Sequence, residues 1–195
     1  MKPINLLFII LFGTLLFSCK ETKKETKGTI EDMVTTAEEV NEEVEVKTLQ
    51  FTLEPKSDSN VKGDVSFTEE NGTVHMNATL AGLTPGEHAI HIHEKSDCSS
   101  SDGKSAGGHW NPTFASHGKW GSEKGYHRGD IGNFTADEEG NASVEFSTDQ
   151  WCLGCEDETK DLLGKGVIVH QGSDDFVTQP TGDAGGRVSC AGIIE

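Results

Sequence analysis

The chain has 195 residues, of which 33% are apolar and 23 are glycine. That profile suits one loop-rich β domain with extra segments better than a helical bundle. The formal net charge of −17 argues against nucleic acid as a partner, because phosphate would be repelled; from Lys47 onward eleven basic residues stand against twenty-four acids, so the domain itself is acidic at −13.

In chain order, Lys2 gives a positive start to the apolar run "INLLFIILFGTLLF", Ile4 to Phe17, which is too short to span a bilayer comfortably. The run ends in "LLFSC", with Ser18 ahead of Cys19. Residues 1–18 resemble a bacterial lipoprotein signal peptide. That resemblance implies lipidation of Cys19 and a membrane attachment through the lipid, in the exported cell envelope (periplasm or outer membrane). Export also means a compartment in which disulfides persist. Residues 19–45 are rich in Lys, Glu and Thr and have no aromatic residue. They bury too little apolar surface to fold alone and read as a flexible charged tether with an r.m.s. span of ~25–30 Å.

Residues 46–195 form the domain. Short β-prone runs recur between turn signals: "VEVKTLQFTLEP", "VKGDVSFTEE", the hairpin signal Asn71-Gly72, "TVHMNATLAGL", "EHAIHIHE", "GDIGNFTAD", "NASVEFSTD", "GVIVHQ" and "RVSCAGII". The fold class this predicts is all-β: an eight-stranded antiparallel Greek-key β-sandwich or barrel. Two long functional loops, Lys95 to Arg128 and Gly172 to Gly186, interrupt the rhythm, and long loops in a compact domain usually carry function.

Three of the eight histidines fall within "GEHAIHIHE". Side chains alternate faces along a strand, so His91 and His93 project from one face while Ile90 and Ile92 project into the core. His88 falls on the isoleucine side and reads as a buried, hydrogen-bonded residue. Two histidines on one face, spaced for one ion, point to a metal. "SAGGHWNP" adds His109, "ASHGKW" adds His117, "GYHRGDIGN" adds His127 and Asp130, and "VIVHQGSDD" adds His170 and Asp174. His75, in mid-strand, reads as a surface residue.

Together HxH, "SAGGHxNP", "HRGDIGN", "VIVHxxxDD" and "GDAGGRVSCAGII" resemble the Cu,Zn superoxide dismutase family, in its bacterial secreted form. The resemblance implies conversion of superoxide to O2 and hydrogen peroxide at a copper centre bridged to zinc. It implies copper on His91, His93, His109 and His170, and zinc on His109, His117, His127 and Asp130. His109 would bridge the metals and supply a proton, and Asp174 would join a copper histidine to a zinc histidine. Arg187 would attract and orient the substrate anion. Four imidazoles suit copper, and three imidazoles with one carboxylate make a closed zinc site. The rival reading is a non-catalytic copper-binding or carrier protein on the same fold. A homodimer is compatible with the sequence, which does not decide the oligomeric state.

With Cys19 committed to lipid, four cysteines remain and three pairings are open. The resemblance pairs Cys98 with Cys190. Cys152 and Cys155, in "WCLGCED", lie outside the family's core pattern and read as a local disulfide; the alternative is a redox or metal role, although this CxxC lacks the βαβ context of a thioredoxin motif. One departure concerns substrate guidance. The second loop holds Asp174, Asp175 and Asp183 but no lysine, so guidance falls to Arg187, the metals, or Lys119, Lys124 and Arg128.

Overall fold

The computed structural model describes residues 45–195; Cys19, the apolar leader and all but the last residue of the tether lie outside them. The strands are β1 (Lys47–Pro55), β2 (Lys62–Glu70), β3 (Thr73–Ala81), β4 (Gly86–His93), β5 (Gly132–Ala136), β6 (Ala142–Thr148), β7 (Gly166–His170) and β8 (Arg187–Gly192). A single 3-10 turn, Lys104–Ala106, is the sole helical element among the described residues.

The strands hydrogen-bond in the order β5-β4-β7-β8-β1-β2-β3-β6, each pair antiparallel. The two end strands of that order, β5 and β6, are consecutive in sequence and joined by residues 137–141, so the sheet curls into a near-closed barrel. The crossings from β3 to β4 and from β6 to β7 skip neighbours, as a Greek key requires.

Local sequence explains the strands. In β3, Val74, Met76, Ala78 and Leu80 are buried while His75, Asn77 and Thr79 are exposed, the two-residue period of a half-buried strand. The β2–β3 hairpin turns on Asn71 and Gly72, with φ of 52° and 73°. Positive φ at both turn residues matches the twist of the flanking strands. Inside the barrel, Leu53, Val65, Phe67, Met76, Ile90, Ile92, Val167, Val169 and Trp151 form the main core.

Three loops leave the barrel. Residues 94–131 and 171–186 correspond to the two long gaps of the sequence. The third, 149–165, was not legible as a loop: Trp151, Leu153 and Leu162 are buried in the core, so its composition does not look like a surface connection. It carries the Cys152–Cys155 disulfide. Cys98, in the first loop, is bonded to Cys190 on β8 with Cα atoms 5.9 Å apart. Beside that bridge, Ala106 and Ile168 form a small apolar cluster on the outer face of β7 and β8. Closing a loop of 92 residues stabilises the fold by about 4–5 kcal/mol in the chain-entropy picture.

Candidate metal centre

The barrel wall sets the first three ligands. Ile90 and Ile92 of β4 point into the core, so His91 and His93 point out. His91 pairs across from Ile168, and β7 then carries a register shift between Val169 and His170. The outer face of β4 and β7 thus presents three imidazoles. The first loop supplies the fourth: His109 forms a β-bridge with His93. That loop is pinned to β4 by Trp110 N donating to Ile92 O at 2.9 Å and Ile92 N donating to Gly129 O at 2.9 Å.

Two groups of ligand atoms result, each with its atoms within 4.8 Å of one another: His91, His93, His109 and His170, and His109, His117, His127 and Asp130. All seven residues are buried. His109 belongs to both groups. Its Nδ1 lies 2.8 Å from Asp130 Oδ1, and its Nε2 has no hydrogen-bond partner.

The pattern of unpartnered nitrogens tests the fit to metals. In the first group His91 Nδ1, His93 Nε2, His109 Nε2 and His170 Nε2 are buried and make no hydrogen bond. Four such atoms would each carry an uncompensated desolvation cost, unless a shared cation takes their lone pairs. In the second group His117 Nδ1 and His127 Nδ1 lie 2.9 and 3.2 Å from Asp130 oxygens, yet neither makes a hydrogen bond there. Their distances suit a hydrogen bond but their geometry does not, and the same atoms lie within 4.8 Å of the other ligand atoms of the set. The first set, all imidazole, suits copper; the second, three imidazoles and a carboxylate, suits closed tetrahedral zinc.

On His91, His93, His117 and His170 the opposite ring nitrogen is occupied, which fixes the orientation of those imidazoles. His93 Nδ1 donates to Gly107 O at 3.0 Å. Asp174 accepts from His91 Nε2 and from His117 Nε2, both at 2.9 Å, so one carboxylate ties the two groups together. Its own backbone is held from β5: Asn133 Nδ2 donates to Asp174 O and Asp174 N donates to Asn133 Oδ1, each at 2.8 Å. Gln179 does the same for His117, accepting from its N–H and donating to its carbonyl, both at 2.9 Å. Gly182, at φ 69°, sits where any Cβ would overlap Asp174 Oδ1. Sequence reasoning passed over Asn133, Gln179 and Gly182.

Arg187 opens β8 opposite His170. Its Nη1 donates to Gly103 O at 2.8 Å and its Nη2 to Gly107 O at 2.7 Å, so the guanidinium is fixed beside the first group. His88 is buried on the core side, with its ring nitrogens 3.0 Å from His170 O and 2.8 Å from Thr84 O. His75 is exposed and reaches Ser147. Lys119 and Lys124 are exposed. Arg128 donates through Nη1 to Gln150.

In the metal-free protein, burial pushes His93 and His170 well below the usual imidazole value, with neighbouring histidines adding to the effect. Burial also lowers His109 to about 4, against the opposing pull of Asp130. His117 differs: burial disfavours its charge, but Asp130 and Asp174 at its two nitrogens override that and hold it up at about 9. Both carboxylates are correspondingly held well below the usual range despite their burial.

A Greek-key barrel carrying two buried ligand sets that share one imidazole defines a two-metal oxidoreductase centre. The family model for copper/zinc superoxide dismutase matches residues 61–193, and the chain belongs to that family. It is 37% identical to the Cu-Zn superoxide dismutase 2 of Mesembryanthemum crystallinum over 144 residues, 70% of this chain and 88% of the relative. It is 35% identical to the extracellular Cu-Zn superoxide dismutase of Drosophila melanogaster over 164 residues, 76% of this chain and 84% of the relative. Among solved structures it is similar to a SOD-like protein from Bacillus subtilis, with a TM-score of 0.66, 27% identity, and coverage of 74% of this chain and 97% of that one.

Proposed function

We propose that this protein is a superoxide dismutase of the exported bacterial type, lipidated at Cys19 and held to a membrane of the cell envelope. His109 carries the reading. One buried imidazole presents a nitrogen to each ligand set, an arrangement that a single-metal carrier does not need. The assigned ligands are His91, His93, His109 and His170 for copper, and His109, His117, His127 and Asp130 for zinc.

Bound copper supplies the one-electron chemistry, between Cu(II) and Cu(I), that zinc lacks. The chain supplies the rest. Arg187, fixed by two carbonyls, attracts and orients a small anion beside the copper set. His109 Nε2 faces that set and can take up and hand on a proton while Nδ1 stays on the zinc side. Overall, two superoxide anions and two protons give O2 and hydrogen peroxide. The paired carboxylate contacts of Asp174 hold both sets in one geometry throughout. The leader, with its Ser18-Cys19 end and the charged segment behind it, supports the lipid-anchored reading.

The test is metal analysis of the reconstituted protein together with a superoxide consumption assay. One copper and one zinc per chain with rapid consumption is the expected result. Copper bound without consumption would favour the carrier reading. Fatty-acid labelling that is lost in Cys19→Ser tests the anchor separately.

A further inference from the structure

Arg128 lies between two ligands of the zinc set, His127 and Asp130, yet its side chain belongs to a different place. It lines a cavity of about 220 Å³ together with Thr113, Ala115, Gly125, Tyr126 and Gln150. In a domain with a large excess of acids, its guanidinium forms no ion pair among the described residues. Its Nη1 donates to Gln150, and its Nε is buried with no hydrogen-bond partner at all. An unpaired buried N–H on a permanent cation costs free energy that an anionic acceptor would recover.

We propose that this cavity is a second anion site, separate from the copper set, that takes a small oxyanion of the phosphate or carboxylate class. The walls supply what such a ligand needs. Arg128 offers a planar fork matched to two oxygens. Tyr126 Oη and the Gln150 amide, 2.9 and 3.1 Å apart in their two mutual contacts, offer further donors that can turn toward a ligand. Thr113 adds a hydroxyl at the rim. The site is coupled to the zinc loop through the backbone. Arg128, a wall residue, sits in the segment carrying His127 and Asp130, and its O accepts at 2.9 Å from Nε1 of Trp151, a core residue adjacent in sequence to the wall residue Gln150. An anion bound there would hold that segment and slow the loss of zinc. A reporter is built in: Tyr126 packs on Trp120 at 4.9 Å, and Trp120 on Trp151 at 5.8 Å.

The test uses the reduced, fully metal-loaded protein, whose closed-shell ions permit NMR. Inorganic phosphate and acetate are titrated separately at constant ionic strength, with chloride as the control. The expected result is saturable shifts of the Thr113, Gly125 and Gln150 amides and a change in tryptophan fluorescence. Arg128→Gln should weaken that response by about tenfold or more, the size of one lost charge-assisted contact, with amide shifts elsewhere unchanged. Tyr126→Phe, which keeps the ring packing, should weaken it by a smaller factor. Arg187→Ala should leave it intact, which separates this site from the substrate path. Bound phosphate should also lengthen the time zinc resists a chelator. Equal shifts with chloride, no saturation with either oxyanion, or an undiminished response in Arg128→Gln would overturn the proposal. None of these readouts depends on superoxide consumption, so the site stands or falls apart from the activity.

Discussion

Arg187 and His93 meet on one carbonyl: Gly107 O accepts from Arg187 Nη2 at 2.7 Å and from His93 Nδ1 at 3.0 Å. The residue assigned to guide the anion and one assigned to bind copper therefore share a single support from the first loop. A change at either is felt by the other through Gly107.

That geometry separates two roles of Arg187. Arg187→Ala removes the charge and both loop contacts, and should slow superoxide consumption by about ten- to a hundredfold, the range of local electrostatic focusing. Arg187→Lys keeps a charge but cannot make both carbonyl contacts at once, and should fall between the two. The copper absorption spectrum should persist in both, because neither nitrogen is a ligand. Loss of copper in the lysine variant would show that the support of Gly107, rather than the charge, is what the residue provides.

Gln179 is expected to act on zinc without touching it. Its amide grips both backbone groups of His117. Gln179→Leu keeps the bulk and loses both bonds, leaving the backbone of a metal ligand less well held. Zinc affinity should fall by about tenfold, at the lower end of what removing a supporting contact costs, while copper occupancy changes less. Competition with a zinc-selective chelator measures this directly.

What the sequence made legible, and what it did not, divides along a physical line. His91 and His93 could be assigned to one face because a strand's period is two, and the β2–β3 hairpin could be placed because Asn71 and Gly72 accept positive φ. Gln179 and Asn133 gave no such signal. They hold residues 62 and 41 positions away, and only the packing of the second loop against the first loop and against β5 brings them there. Gly182 looks like any loop glycine until the Asp174 carboxylate is seen against it.

The stability of the metal-free protein should peak near neutral pH. His117 is raised to about 9 from 6.5, so its contribution is complete below 6.5 and is lost as pH rises through about 9. His109, lowered to about 4, has the opposite sign: the unfolded chain binds its proton first, so stability falls as pH drops from 6.5 toward 4. His93 and His170 are lowered as well and add to the acid side. Thermal denaturation in the presence of a chelator, followed across this range, should therefore show a maximum. Saturating zinc displaces the His117 proton and should abolish the alkaline decline; a decline that survives zinc would show that another group causes it.

The dependence on salt tests how superoxide is guided. The domain is strongly acidic overall, but charge within about a Debye length of the copper set matters most, ~8–10 Å at ordinary salt. Arg187 is there, fixed and half-buried, and its charge is felt by both His93 and His170. Two acids, Asp102 and Glu94, lie close enough to stabilise its charge. In the second loop Asp174 is buried between two histidines, and Asp175 is turned back onto Val177 and Thr178, so neither carboxylate projects freely toward an incoming anion. The local field should then be attractive, though weaker than a loop carrying lysines would make it. Added salt, chosen not to ligate copper, should lower the second-order rate by screening that attraction. The decrease should largely vanish in Arg187→Ala. A rate that climbs steadily with ionic strength in the parent protein would mean that the acids of the domain dominate, and that superoxide reaches copper against a repulsive field.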